Sequence, residues 1–141
     1  MTLTDPRPAA VVALIGNPNT GKSTLFNALT GLRQKTANYP GVTVEQHTGE
    51  IILAGRTVTL VDLPGAYSLA AQSPDEMVAI DVLLGHVTAL PRPRAILAVI
   101  DSTNLRRNLF LVTQLAELGL PLVVALNLSD VAASRGIRID A

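Results

Sequence analysis

The passage that most constrains this chain runs from an apolar stretch, "AVVALI" at Ala10 to Ile15, through "GNPNTGKS" at Gly16 to Ser23, into a helical pattern. A short apolar run ending at glycine reads as a buried strand over Val11–Ile15. Helical spacing then holds from about Lys22 to Thr30, with Gly31 placed to supply a left-handed C-terminal cap. The stretch between them fits G-x-x-x-x-G-K-[ST]. Glycines at that spacing let backbone N–H groups turn inward as a nest for phosphate oxygens. The helix presents its positive N-terminus to the same anion. In that geometry Lys22 reaches the β and γ phosphates and the Ser23 hydroxyl ligates Mg²⁺. A nucleoside triphosphate is the expected ligand, and Gly16, Asn17, Pro18, Asn19, Thr20, Gly21, Lys22, Ser23 and Thr24 are its expected cradle.

The rest of the chain alternates strand and helix. Leu32 to Gly41 has no period and reads as a loop. Val42 to Leu53 and "RTVTLVDL" from Arg56, separated by Gly55, read as a hairpin. "SPDE" at Ser73 to Glu76 is a capping box, which starts a helix over Pro74 to about Leu84. "AILAVID" at Ala95 to Asp101 is a buried strand. Asn104 to Leu118 carries Leu105, Leu109, Val112, Leu115 and Ala116 at helical spacing, with Gly119 and Pro121 ending it. "LVVALN" at Leu122 to Asn127 is the last strand. The expected class is α/β: a three-layer, mostly parallel sheet with one antiparallel hairpin strand and helices on both faces. Ligands bind such sheets beyond the carboxyl ends of the strands, where Gly16, Asp62, Asp101 and Asn127 fall.

Composition narrows the class further. Hydrophobic residues make up 48% of the chain, enough for a folded domain of 141 residues. Lys plus Arg and Asp plus Glu are 11 each, so no global field directs the chain to nucleic acid or an anionic membrane. With no cysteine, disulfides and thiolate metal sites are excluded. "MTLTDPRPAA" lacks the pattern of a signal peptide and reads as a flexible tail over 1–10. No run reaches the ~20 apolar residues of a membrane span.

Two more stretches fit a nucleotide. In "VDLPG", Asp62 ends a strand where the carboxylate behind Mg²⁺ is expected, and Gly65 can bring its N–H to the γ-phosphate. A plain Pro-Gly turn is the competing reading of that stretch. In "NLSD", Asp130 can accept both the N1–H and the N2 amino protons of guanine, a pair adenine does not offer. Asn127 would tie that loop to the phosphate cradle. His47 and His86 stand apart from each other and from carboxylates in sequence and read as surface residues. Arg106 and Arg107 of "LRRNL" read as a solvated helix face.

Taken together, "GNPNTGKSTLFNALTG", "NYPGVTVE", "DLPGAYSL", "SPDE", "DSTNLRRNLFL" and "LGLPLVVALN" resemble the N-terminal G domain of the ferrous iron transport protein B family, within the P-loop NTPase fold. The resemblance runs from about Val11 to Asp140. It implies GTP and GDP as ligands, with Mg²⁺ held by Ser23, Thr43 and Asp62. Thr43 is the position that closes on Mg²⁺ and the γ-phosphate, so that Lys22, Thr43 and Gly65 are the expected catalytic set. It implies K⁺ near Asn19, assisted by backbone carbonyls from Asn38 to Gly41 and acting as a cis arginine finger acts. It implies a cytoplasmic domain joined to a transmembrane part of the same transporter, with room for a homo-oligomer and no nucleic-acid partner.

Two departures shape the expected rate and affinity. Ala66 stands where many GTPases carry a water-orienting glutamine, so hydrolysis should be slow and water held by backbone groups or by Glu76. Leu128 replaces the lysine of N-K-x-D, which points to modest nucleotide affinity. The sequence is expected to be a G domain over 11–141 without its last strand, base-contacting loop and closing helix, leaving apolar sheet surface uncovered. A soluble GTPase of ribosome assembly or tRNA modification, and a non-catalytic GTP-binding module, are the competing functions.

Overall fold

The computed structural model describes residues 10–88 and 90–139; the expected N-terminal tail lies outside them, apart from Ala10. One six-stranded sheet organises the molecule. Its strands are β1 (Ala10–Gly16), β2 (Gln34–Asn38), β3 (Glu45–Leu53), β4 (Arg56–Asp62), β5 (Ala95–Asp101) and β6 (Leu122–Asn127). The helices are α1 (Lys22–Thr30), α2 (Pro74–Leu84), α3 (Leu105–Ala116) and α4 (Ser129–Ser134). The spatial order is β2-β3-β4-β1-β5-β6. β1 pairs in parallel with both β4 and β5, and β5 with β6; β3 alone runs against its neighbours.

That order reverses direction at β1. The chain leaves β1 for β4 on one side, then crosses to β5 on the other. Such a switch point opens a crevice at the carboxyl ends of the strands, and Gly16, Asp62, Asp101 and Asn127 end their strands there. Two apolar clusters hold the layers. Leu14, Phe26, Leu60 and Val99 pack under α1 on one face. Ile15, Val61, Leu63, Val82, Ile96, Leu111 and Leu115 pack under α2 and α3 on the other. Each such fully buried leucine or isoleucine contributes about 1.5–3 kcal/mol.

The structure departs from the sequence expectations in four places. Residues 34–38 are strand β2, not loop: this edge strand, QKTAN, is exposed throughout and has no apolar alternation to reveal it. β3 begins at Glu45 rather than Val42, because a turn closes Tyr39 N–H onto Val44 O at 3.0 Å and Val42 N–H onto Tyr39 O at 3.3 Å. α4 follows β6 directly. The buried residues of α3 are Asn108, Leu111 and Leu115, while Leu109 is 43% exposed. Asn108 takes an inward position because its Oδ1 accepts from Asp101 N–H at 3.0 Å and its Nδ2 donates to Asn104 O at 2.7 Å. A buried amide paired in this way avoids the desolvation penalty of an unmatched one.

Candidate nucleotide site

The loop from Gly16 to Lys22 folds as a cradle because of two positive-φ residues, Asn19 and Gly21. Gly21 is the N-cap of α1 at φ +83°, and no side chain caps that helix. The first-turn N–H groups of α1 therefore stay available to an anion. A Cβ on Gly21 would stand 2.3 Å from Asn127 Nδ2, so glycine is needed for space as well as for backbone conformation. Asn127 donates that amide to Thr20 O at 2.8 Å, joining the end of β6 to the cradle as its position in the sequence suggested.

Two adjoining cavities open here. The first, about 360 Å³, is lined by Asn17, Pro18, Asn19, Gly21, Lys22, Ser23, Thr24 and Gly65. The second, about 430 Å³, shares Lys22, Ser23 and Gly65 and adds Thr43, Asp62, Glu45, His47 and Asp75. Lys22 Nζ donates to Asp62 Oδ1, with both side chains largely buried. Each charge is desolvated here and compensated by its partner. Gly65 lies against Pro18, and Ala66 N–H donates to Gly16 O at 3.0 Å, so the segment after β4 is fastened to the end of β1.

The donor set suits a nucleotide and its metal. Two hydroxyls and a carboxylate (Ser23, Thr43 and Asp62) face one cavity, and hard oxygen ligands of this kind fit Mg²⁺. Both polar atoms of the Asn17 amide and Thr20 Oγ1 are buried beside the cradle without a protein partner. Such atoms are uncommon in folded proteins and often mark a functional site. Asp130 lies exposed in the first turn of α4, just beyond β6, and is not among the residues lining the two cavities. Leu128 holds the turn between Asn127 and α4 at φ +58°.

Other side chains lie elsewhere than the sequence indicates. Glu76 is turned back: its N–H donates to Ser73 Oγ at 3.2 Å, and its carboxylate accepts from Gln72 N–H at 3.4 Å. Asp75, one residue earlier, lines the Ser23–Asp62 cavity instead. Both histidines have carboxylate neighbours: His47 Nε2 is 3.1 Å from Glu45, and His86 Nδ1 is 4.0 Å from Asp81. Glu45 lies two residues before His47 on β3 and Asp81 five residues before His86, so the expectation that the histidines stand apart from carboxylates is corrected by neighbours close in the chain. Among the described residues, no group of three or more His, Asp or Glu stands in a metal-binding arrangement. Arg107 lies over the Tyr67 ring, 4.1 Å from its centroid, rather than pointing to solvent alone. The hydroxyl of Tyr39 is buried without a partner. Burial, and secondarily the negative charge of Asp62, push its pKa up to about 12.

The chain is similar in sequence and in fold to known proteins. Residues 10–141 match the family model described as ferrous iron transport protein B. The Fe(2+) transporter FeoB of Salmonella typhimurium is 48% identical over 133 residues, covering 92% of this chain and 17% of the relative. The Escherichia coli K12 FeoB matches to the same extent, so the chain spans about a sixth of the length of these relatives. The cytosolic domain of L. pneumophila FeoB superposes with a TM-score of 0.86 at 50% identity, over 93% of this chain and 50% of that one. A substituted S. thermophilus NFeoB bound to GDP gives 0.82 at 46% identity, over 93% and 49%. The FeoB G domain of Methanococcus jannaschii gives 0.77 at 43%, over 95% and 77%. In sequence and fold, the chain belongs to the ferrous iron transport protein B family, as its G domain.

Proposed function

We propose that this chain binds GTP with Mg²⁺, hydrolyses it, and serves as the nucleotide switch of a ferrous iron transporter. The observation that carries the proposal is the meeting of Lys22, Ser23, Thr43, Asp62 and Gly65 around two adjoining cavities at the uncapped start of α1. The backbone from Gly16 to Ser23 and the Lys22 ammonium would hold the phosphates. Lys22 would exchange Asp62 for the β and γ phosphate oxygens. Ser23, Thr43 and Asp62 would hold Mg²⁺, which would neutralise phosphate charge. Gly65 N–H would orient the γ-phosphate for in-line attack by water. Asp130 would select guanine through its two edge protons, and Asn127 would keep the base loop beside Thr20.

Ala66 offers no side-chain amide to the attacking water, so the intrinsic rate should be slow. K⁺ held near Asn19 would offset charge developing in the transition state. Equal turnover in K⁺ and Na⁺ would remove that part of the proposal. The partner of the switch would be a membrane-embedded part of the same transporter on its cytoplasmic side. Among the described residues no helix is long and apolar enough to cross a membrane.

Nucleotide selectivity tests the reading. Fluorescent GDP should bind with Mg²⁺ at least tenfold more tightly than fluorescent ADP (a ~1.4 kcal/mol difference). Asp130→Asn should erase that preference, since an amide presents a donor where guanine presents donors. Equal binding of both nucleotides by the unaltered chain would contradict the proposal.

A further inference from the structure

The segment after β4 is fastened at two ends. At its start, Ala66 N–H donates to Gly16 O at 3.0 Å. Further on, Leu69 N–H donates to Gln114 Oε1 of α3 at 2.6 Å. Between these ties the Arg107 guanidinium of α3 covers the Tyr67 ring at 4.1 Å. Arg107, Leu111 and Gln114 stand at i, i+4 and i+7, so they share one face of α3. Leu111, between the other two, is buried in the core and fixes that face toward the sheet. The remaining side-chain tie within residues 66–70 is local, Ala70 N–H to Ser68 Oγ at 3.3 Å.

Ala66 has only a methyl group. Its N–H is held by Gly16 O, so the backbone donor this segment offers a γ-phosphate is that of Gly65. The path of that backbone is set by what holds Tyr67 and Leu69. A planar guanidinium on an aromatic face and a short amide hydrogen bond are both directional contacts. We infer that Arg107 and Gln114 are positioning residues, holding the Gly65–Leu69 segment so that Gly65 N–H faces the γ-phosphate. This rests on the GTPase reading for its catalytic consequence, and on the two α3 contacts alone for its structural one.

The test compares Arg107→Ala, Arg107→Lys, Gln114→Leu and the neighbouring Arg106→Ala in the full chain. GTP turnover is measured alongside amide hydrogen exchange over residues 66–70 without nucleotide. The expected result is that Arg107→Ala and Gln114→Leu lower kcat about three- to tenfold and leave KM within about twofold. Exchange at 66–70 should quicken in both, Arg107→Lys should recover part of each effect, and Arg106→Ala should resemble the unaltered chain. Unchanged exchange at 66–70 in Arg107→Ala and Gln114→Leu would overturn the inference, as would a uniform rise in exchange across the chain. If the unaltered chain turns over GTP no faster than Ser23→Ala, the hydrolysis reading falls, and the exchange pattern still decides whether α3 holds this segment.

Discussion

Gly21 and Asn127 meet so closely that no methyl fits between them. Gly21→Ala must shift Asn127, and it places a Cβ at φ +83° as well. It should cost on the order of 1–3 kcal/mol of stability, read by denaturant unfolding, together with most of the nucleotide affinity. Tyr39 gives a residue-scale prediction in pH. Its folded pKa of about 12 lies above the ordinary tyrosine value of 10.0. The proton is therefore held more tightly in the folded state. Its stability contribution is full below pH 10.0 and is lost as the pH rises toward about 12. That loss amounts to roughly 2–3 kcal/mol. Phenolate absorbance of Tyr67→Phe, in which Tyr39 is the remaining tyrosine, should titrate late. The alkaline fall in stability should be shallower in Tyr39→Phe. At this scale the shape of the loop was readable, because its glycine spacing sets the backbone turn that opens α1. The orphaned Tyr39 hydroxyl and the roles of Asp75 and Arg107 were not, since each depends on contacts across tens of residues.

Among the elements, those with local punctuation were legible. α2 has the bounds expected from its capping box: Ser73 accepts from Glu76 N–H, Pro74 opens the helix, and Gly85 ends it at φ +77°. Ser73→Ala should therefore lower stability by about 1 kcal/mol, measured as a shift in denaturation midpoint at unchanged slope. β2 was illegible for the opposite reason. It is a polar edge strand held in register by β3, with Thr36 opposite His47, and nothing in its own residues alternates. The packing of α1 on β3 shows a similar long-range constraint. A Cβ on Gly49 would come within 2.3 Å of Thr30 Cγ2 at the last turn of α1. Gly49→Ala should destabilise by about 1–3 kcal/mol through overpacking, and reducing Thr30 to serine in the same chain should recover part of it. In α3 the apolar spacing favoured Leu105, Leu109, Val112, Leu115 and Ala116; of these Leu115 is in the buried set, which Asn108 and Leu111 complete. A paired asparagine can hold an inward position, and periodicity in apolar residues cannot detect that.

For the molecule as a whole, the alternation of strand and helix was enough to give a mostly parallel sheet. The order β2-β3-β4-β1-β5-β6, with its reversal at β1, is what gathers Gly16, Asp62 and Asn127 at one end. The sheet is also unevenly covered: on edge strand β6, Val123 is 60% and Val124 38% exposed. Ligand binding should stabilise the whole fold by mass action, by about 2.7 kcal/mol at a hundredfold excess of GDP over its Kd. Chelating Mg²⁺ should remove much of that gain, seen as a lower midpoint in thermal denaturation.

Above all, this cradle should hydrolyse GTP. Phosphate release from GTP and from ATP, with Mg²⁺ and K⁺, beside the Ser23→Ala variant, tests it most directly. Turnover of GTP should be slow and should exceed both the ATP rate and the Ser23→Ala rate. Turnover of GTP equal to that of Ser23→Ala would contradict it.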